Sequence, residues 1–163
     1  NLSQGKYLHE IANSSSIDMC VGIGCYPEKH AFSNDFDQEI DLLKQKIAAG
    51  ASYAVTQMFF DNSKYFAFVE RCKKENITIP IIPGLKILDK PRQIDILPKL
   101  FNIELPNELY GEAKEDIEHI QEIGTRWAIK QSEELINAGV PIIHYYLMND
   151  TSCMLSILNH LHK

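Results

Sequence analysis

Four short apolar runs, each followed by a stretch of helical periodicity, alternate along the 163-residue chain with no hairpin signal between them. Residues 19–25, 52–60, 79–82 and 140–148 have the unbroken apolar character of strands buried on both faces. Connections that contain a whole helix carry the chain back across the sheet, so successive strands run parallel. The pattern predicts an α/β fold.

The intervening helices are legible from their stripes and caps. Over residues 35–49, Phe36, Ile40, Leu43 and Ile47 recur at three- and four-residue steps and the run stops at Gly50. A second helix follows Asp61-Asn62, either of which is a good N-cap, with its stripe on Phe66, Val69 and Cys72. A third is expected over 91–101, an inserted helical stretch after Pro106, a long helix over 115–137 closed by Gly139, and a last one over 151–162.

Four strand–helix units are half of what a closed (β/α)8 barrel needs, since such barrels take roughly 200–250 residues. The expectation is therefore a single partial domain, residues 1–163, forming the last four units of a TIM barrel with parallel strands. Curved like a barrel wall, four strands leave two bare edges and an apolar face, which an N-terminal half-barrel or a second copy of the chain must cover; a homo-oligomer is one way. An open, doubly wound sheet is the structural alternative and avoids that difficulty. The chain does not begin with Met, and it is expected to be processed or part of something longer.

Several function classes are excluded at this level. The apolar runs are far shorter than the roughly 20 residues of a membrane span, and the polar start is no signal peptide. Net charge is −6 and the cations are scattered, so no basic stripe exists for nucleic acid. Cys20, Cys25, Cys72 and Cys153 form no Cys-x-x-Cys pair and no cluster with His, so neither metal nor disulfides are expected, as in a cytoplasmic protein.

In parallel α/β folds ligands sit where strands end, and the post-strand segments here are unusually rich in chemistry. They are Tyr26-Pro27-Glu28-Lys29-His30, Thr56-Gln57-Met58-Phe59-Phe60-Asp61, Ile82-Pro83-Gly84-Leu85-Lys86 and His144-Tyr145-Tyr146. A Gln at the end of an apolar strand needs partners, from backbone or from a ligand with donor and acceptor edges. Pro83-Gly84 forces a turn and permits close approach of another backbone.

Together these segments, with Leu43-Lys44-x-Lys46-Ile47, Ala49-Gly50-Ala51 and Gly139-Val140-Pro141, resemble methylenetetrahydrofolate reductases in order and spacing over nearly the whole chain beyond residue 18. The resemblance implies an oxidoreductase of one-carbon metabolism and methionine synthesis, with FAD at the carboxyl ends of the strands. NADH or NADPH is the implied hydride donor and methylenetetrahydrofolate the acceptor. By that resemblance Tyr26, His30, Ser33, Glu39 and Lys46 fall on FAD-contacting positions, Gln57 on one that touches nicotinamide and folate, and Gln93 on a second folate-binding amide. Without it, Glu39 and Lys46 read as a solvated helix face.

The chain also departs from the family's pattern. Gln45 replaces a basic residue, Leu42 a polar FAD contact, Leu97 an aromatic that stacks on folate, and Asp150 an Arg. The family's general-acid Glu lies in the first four strands, so no catalytic acid is assigned. The alternative is an inactive half-barrel that folds by pairing, a binding or assembly module; a further rival is another barrel enzyme acting on a phosphate or sugar.

Overall fold

The computed structural model describes residues 18–28, 35–148 and 151–162. Its elements run β1 (Gly22–Cys25), α1 (Phe36–Ala48), β2 (Tyr53–Thr56), α2 (Asn62–Lys74), β3 (Ile81–Ile82), β4 (Gly84–Leu85), α3 (Gln93–Phe101), α4 (Asn107–Glu115), α5 (Ile120–Asn137), β5 (His144–Tyr145) and α6 (Ser152–Leu161). The fold is α/β, and every strand pair is parallel.

Caps explain the helix starts. Asp35 accepts from the Gln38 N–H and Asp61 from the Ser63 N–H, each satisfying a donor that the first turn leaves without an intrahelical partner. Gly50 follows α1 at φ +108 and Gly139 follows α5 at φ +82, left-handed positions that favour glycine.

The strands are shorter than the apolar runs that foretold them, β5 covering only two of residues 140–148, and two boundaries differ in kind. The third strand does not end at residue 82: Pro83 divides it, so that β3 pairs with β2 while β4 pairs with β5. Proline lacks the N–H that would continue the first ladder, but its carbonyl accepts from the His144 N–H at 2.9 Å and so begins the second. The long helix expected over 115–137 is broken at Asp116 by a 3₁₀ turn (Ile117–His119) before α5 begins.

Strand order is sequential, β1-β2-β3 and then β4-β5, with β3 and β4 a single stretch of chain. A doubly wound sheet reverses its order at a switch point; among the described residues no reversal occurs. Crossovers of one hand running in one direction place their covering helices on one face, and α1, α2 and α5 pack in this way. Ile23, Cys25, Ala54 and Ile81 pack against Ile40 and Leu43 of α1 and Phe68 and Cys72 of α2. Leu85 packs with Tyr65 of α2 and Leu135 of α5, and Ile87 with Ala128 of α5 and Ile157 of α6. Full burial of a residue such as Leu85 or Leu135 contributes about 1.5–3 kcal/mol.

By alternation the opposite face carries Gly22, Gly24, Tyr53, Val55, Ile82, Gly84 and His144, none of them in a helix-side cluster. A third layer lies past the carboxyl ends. There α3 and α4 supply Ile94, Leu97, Leu109 and Ala113 to a cluster on Met58 and Phe60, beyond β2, and Leu88, beyond β4.

Candidate active site

The carboxyl end of β1 gathers three of the residues expected to bind a cofactor. Tyr26 follows the strand directly and is half-buried. Glu39, on the first turns of α1, is only 7% exposed, so it is not part of a solvated helix face. Its carboxylate lies near enough to Tyr26 and Cys25 to disfavour their ionisation. Lys46, three turns into the same helix, is exposed and donates from Nζ to the Gly24 carbonyl at 2.9 Å.

Burial dominates the electrostatics here. It is the main cause that raises the Tyr26 hydroxyl, with the Glu39 carboxylate adding to it. The Cys25 thiol is pushed up to about 12, chiefly by burial and then by Cys72, so it is no nucleophile near neutral pH.

Gln57 sits on the open face at the end of β2, its N–H bonded to the Cys25 carbonyl at 2.7 Å. Its Oε1 accepts from the Met58 N–H at 3.0 Å, which fixes the amide's orientation. Nε2 makes no hydrogen bond among the described residues. Tyr26 and Gln57 border one closed gap, too small for a water molecule, together with Pro27, Glu28, Met58, Phe101 and Ile103.

Gln93 lies at the start of α3, away from this group. Its Oε1 accepts from the N–H groups of Asp89 and Lys90, at 2.8 and 3.1 Å, and its Nε2 donates to Asp89 Oδ1 at 2.6 Å. The amide is therefore held by the turn after β4, and the second hydrogen of Nε2 makes no bond among the described residues. Leu97, where the sequence reading expected a stacking aromatic to be missing, belongs to the core cluster under α3 and α4. His30, Ser33 and Asp150 lie outside the described residues.

A family model for methylenetetrahydrofolate reductase matches residues 6–162. The chain belongs to the methylenetetrahydrofolate reductase family. Among curated relatives, the 5,10-methylenetetrahydrofolate reductase of Buchnera aphidicola subsp. Schizaphis graminum is 33% identical over 143 residues, covering 86% of this chain and 49% of that protein. That of Escherichia coli K12 is 29% identical over 135 residues, covering 81% and 46%. The chain thus spans about half the length of these relatives, and 22% of methylenetetrahydrofolate reductase 1 of Schizosaccharomyces pombe, which is 30% identical.

A solved structure of the same fold is an uncharacterized protein from Clostridium thermocellum, described as binding two copies of 5-methyl-5,6,7,8-tetrahydrofolic acid. It matches at TM-score 0.55 and 20% identity, over 86% of this chain and 52% of that one.

Two residues of the quoted segments make bonds that the sequence did not foretell. Thr56 is fully buried and accepts from the Gly84 N–H through Oγ1 at 2.8 Å, while the Tyr146 hydroxyl donates to its carbonyl at 2.8 Å. Glu28 accepts from the Glu104 N–H through Oε2 at 2.8 Å, and its Oε1 is buried with no partner among the described residues. The signal for Thr56 was its polar side chain at the end of an apolar strand; nothing local to Glu28 points to residue 104.

No helix among the described residues is long and apolar enough to cross a membrane, and no group of three His, Cys, Asp or Glu there could hold a metal ion. All four cysteines are free thiols.

Proposed function

We propose that this chain is the carboxyl-terminal half of a flavin-dependent methylenetetrahydrofolate reductase barrel, acting in the cytoplasm and completed by an N-terminal half or by another chain. The observation that carries the reading is the grouping of Tyr26, Glu39, Lys46 and Gln57 at the ends of β1 and β2, in a sequential parallel sheet. The edges support it: Met19 and Val21 beside β1, and Ile142 and Met148 beside β5, are exposed apolar side chains where a closed barrel would continue.

The residues at β1 suit FAD. A buried carboxylate accepts from ribose hydroxyls, an ammonium at the rim pairs with a diphosphate, and Tyr26 offers an aromatic ring and a hydroxyl beside them. His30 and Ser33 are assigned to the same ligand by the family resemblance. The chemistry supplied by bound FAD is the relay of a hydride from NADH or NADPH to the methylene carbon of methylenetetrahydrofolate, giving methyltetrahydrofolate. This chain's part is to bind and orient. Gln57 presents Nε2 to either planar ligand, its carbonyl end already anchored to Met58, and Gln93 offers its remaining amide hydrogen to the folate.

Co-expression with the N-terminal half of a family member tests the proposal. The expected complex is yellow and oxidises NADH or NADPH in the presence of methylenetetrahydrofolate. A stable but colourless complex that binds folate would favour the second reading, a binding or assembly module without redox activity. The placement of Leu97 in the core rather than at a stacking position favours that reading.

A further inference from the structure

Lys86 has no role in the site described so far. It stands at the carboxyl end of the third strand stretch, one residue past β4. Leu85 and Ile87 on either side both pack into helix-side clusters, so alternation turns Lys86 toward the open face that carries Gly84 and His144. The register brings it beside Tyr146, whose ring lies over Gly84.

The side chain is 8% exposed, yet its ammonium makes no hydrogen bond among the described residues. The one carboxylate oxygen there within 4.0 Å is Asp89 Oδ1, at that limit. An ammonium carries three donors, and none of the three is taken up by a hydrogen bond among the described residues. Asp89 does not close the gap because Gln93 holds it, Nε2 on Oδ1 at 2.6 Å, while Gln93 is itself fixed to the backbone at Asp89 and Lys90. The result is a rigid polar set with surplus donor capacity, on the ligand side of the sheet at strand-end level.

We propose that Lys86 is a ligand-binding residue whose ammonium takes a ring carbonyl oxygen of a planar heterocycle bound at the strand ends. Depth in the fold argues for a ring rather than a flexible, solvated tail. Two rings in the proposed reaction carry such a carbonyl beside a ring N–H, the folate pteridine and the flavin pyrimidine. The inference rests on the proposed function and adds to it a residue that neither the family resemblance nor the sequence motifs assigned.

The test uses Lys86→Met in the complex reconstituted with the N-terminal half, with 5-methyltetrahydrofolate and FAD as separate probes. Met keeps the length of the apolar stem and removes the charge. The expected result is a loss of about tenfold or more in affinity for one probe, the size of a charge-assisted hydrogen bond, with the other unchanged; the affected probe identifies the ring. The unliganded variant should melt close to wild type, because the substitution keeps the apolar stem and removes no hydrogen bond. Unchanged affinity for both probes overturns the proposal. So does a lowered melting temperature with equal loss of both, which makes Lys86–Asp89 a structural pair. A wild-type complex that binds neither probe refutes the proposed function itself, and the inference with it.

Discussion

Thr56 connects three strands through one residue. Pro83 interrupts the backbone ladder between β2 and the third strand stretch, and the Thr56 hydroxyl replaces the missing bond by accepting from Gly84 N–H. Its carbonyl takes the Tyr146 hydroxyl from the far strand. Thr56→Val keeps the shape and leaves the buried Gly84 N–H without an acceptor, so it should destabilise by about 1–3 kcal/mol; urea unfolding measures this. Gly84 tolerates no side chain at this junction, since a Cβ would stand 2.4 Å from the Thr56 carbonyl oxygen. Cysteine reactivity is a second residue-scale test. Cys20 is exposed, whereas burial holds the Cys25 thiol at about 12. Thiol alkylation at mildly alkaline pH should modify Cys20 quickly and leave Cys25 intact in the native protein, as peptide mass mapping would show.

At the scale of elements, the turn after β1 is tied to the connection between α3 and α4 by a single carboxyl group. Glu28 accepts from the Glu104 N–H, and burial raises its pKa above the ordinary carboxylate value against the opposing effect of that bond. A carboxyl whose folded pKa is raised stabilises the fold below its unfolded pKa and loses that contribution as pH rises through the folded value. Glu28→Gln keeps an acceptor for Glu104 and cannot ionise. It should raise the thermal midpoint at neutral pH, with the difference from wild type vanishing as pH falls below the unfolded carboxylate range; melts across that range decide. The sequence showed the strands and helices well because apolar runs and caps such as Asp35 and Asp61 are local signals. It missed the division of the third strand, since pairing across Pro83 depends on which neighbours lie on each side. It could not show that Asn62 Nδ2 donates to the Gln131 carbonyl and that Gln131 Nε2 returns a bond to Asn62, joining α2 to α5. Two amides 69 positions apart look like ordinary polar helix residues until the fold buries both. In the site, Gln57 was visible as an amide closing an apolar strand, but Glu39 and Lys46 depended on family resemblance. Lys86 stood in a post-strand segment of the sequence, but nothing local marked it as largely covered by the fold.

At the scale of the molecule, α1, α2 and α5 cover the side of the sheet that carries Cys25, Ala54 and Leu85, and among the described residues no further strand pairs with β1 or β5. Exposed Met19 and Val21 flank one edge, Ile142 and Met148 the other, and Leu155 and Leu158 stand on α6 beside it. Edges of this kind recruit another chain, because unpaired strand N–H and C=O groups and adjoining apolar surface both gain from pairing. The isolated chain should therefore sediment above its 18.6 kDa monomer mass, and bind a hydrophobic dye. Val21→Lys with Ile142→Lys, one charge at each edge, should shift it toward monomer and reduce dye binding while leaving helical circular dichroism intact, since neither side chain lies in a core cluster. The same pair of charges should also weaken association with an N-terminal half-barrel, because both assemblies would use the same two edges. A dye-silent 18.6 kDa wild-type monomer would show that these edges are closed within the chain itself, and a completing half would then have no surface to join.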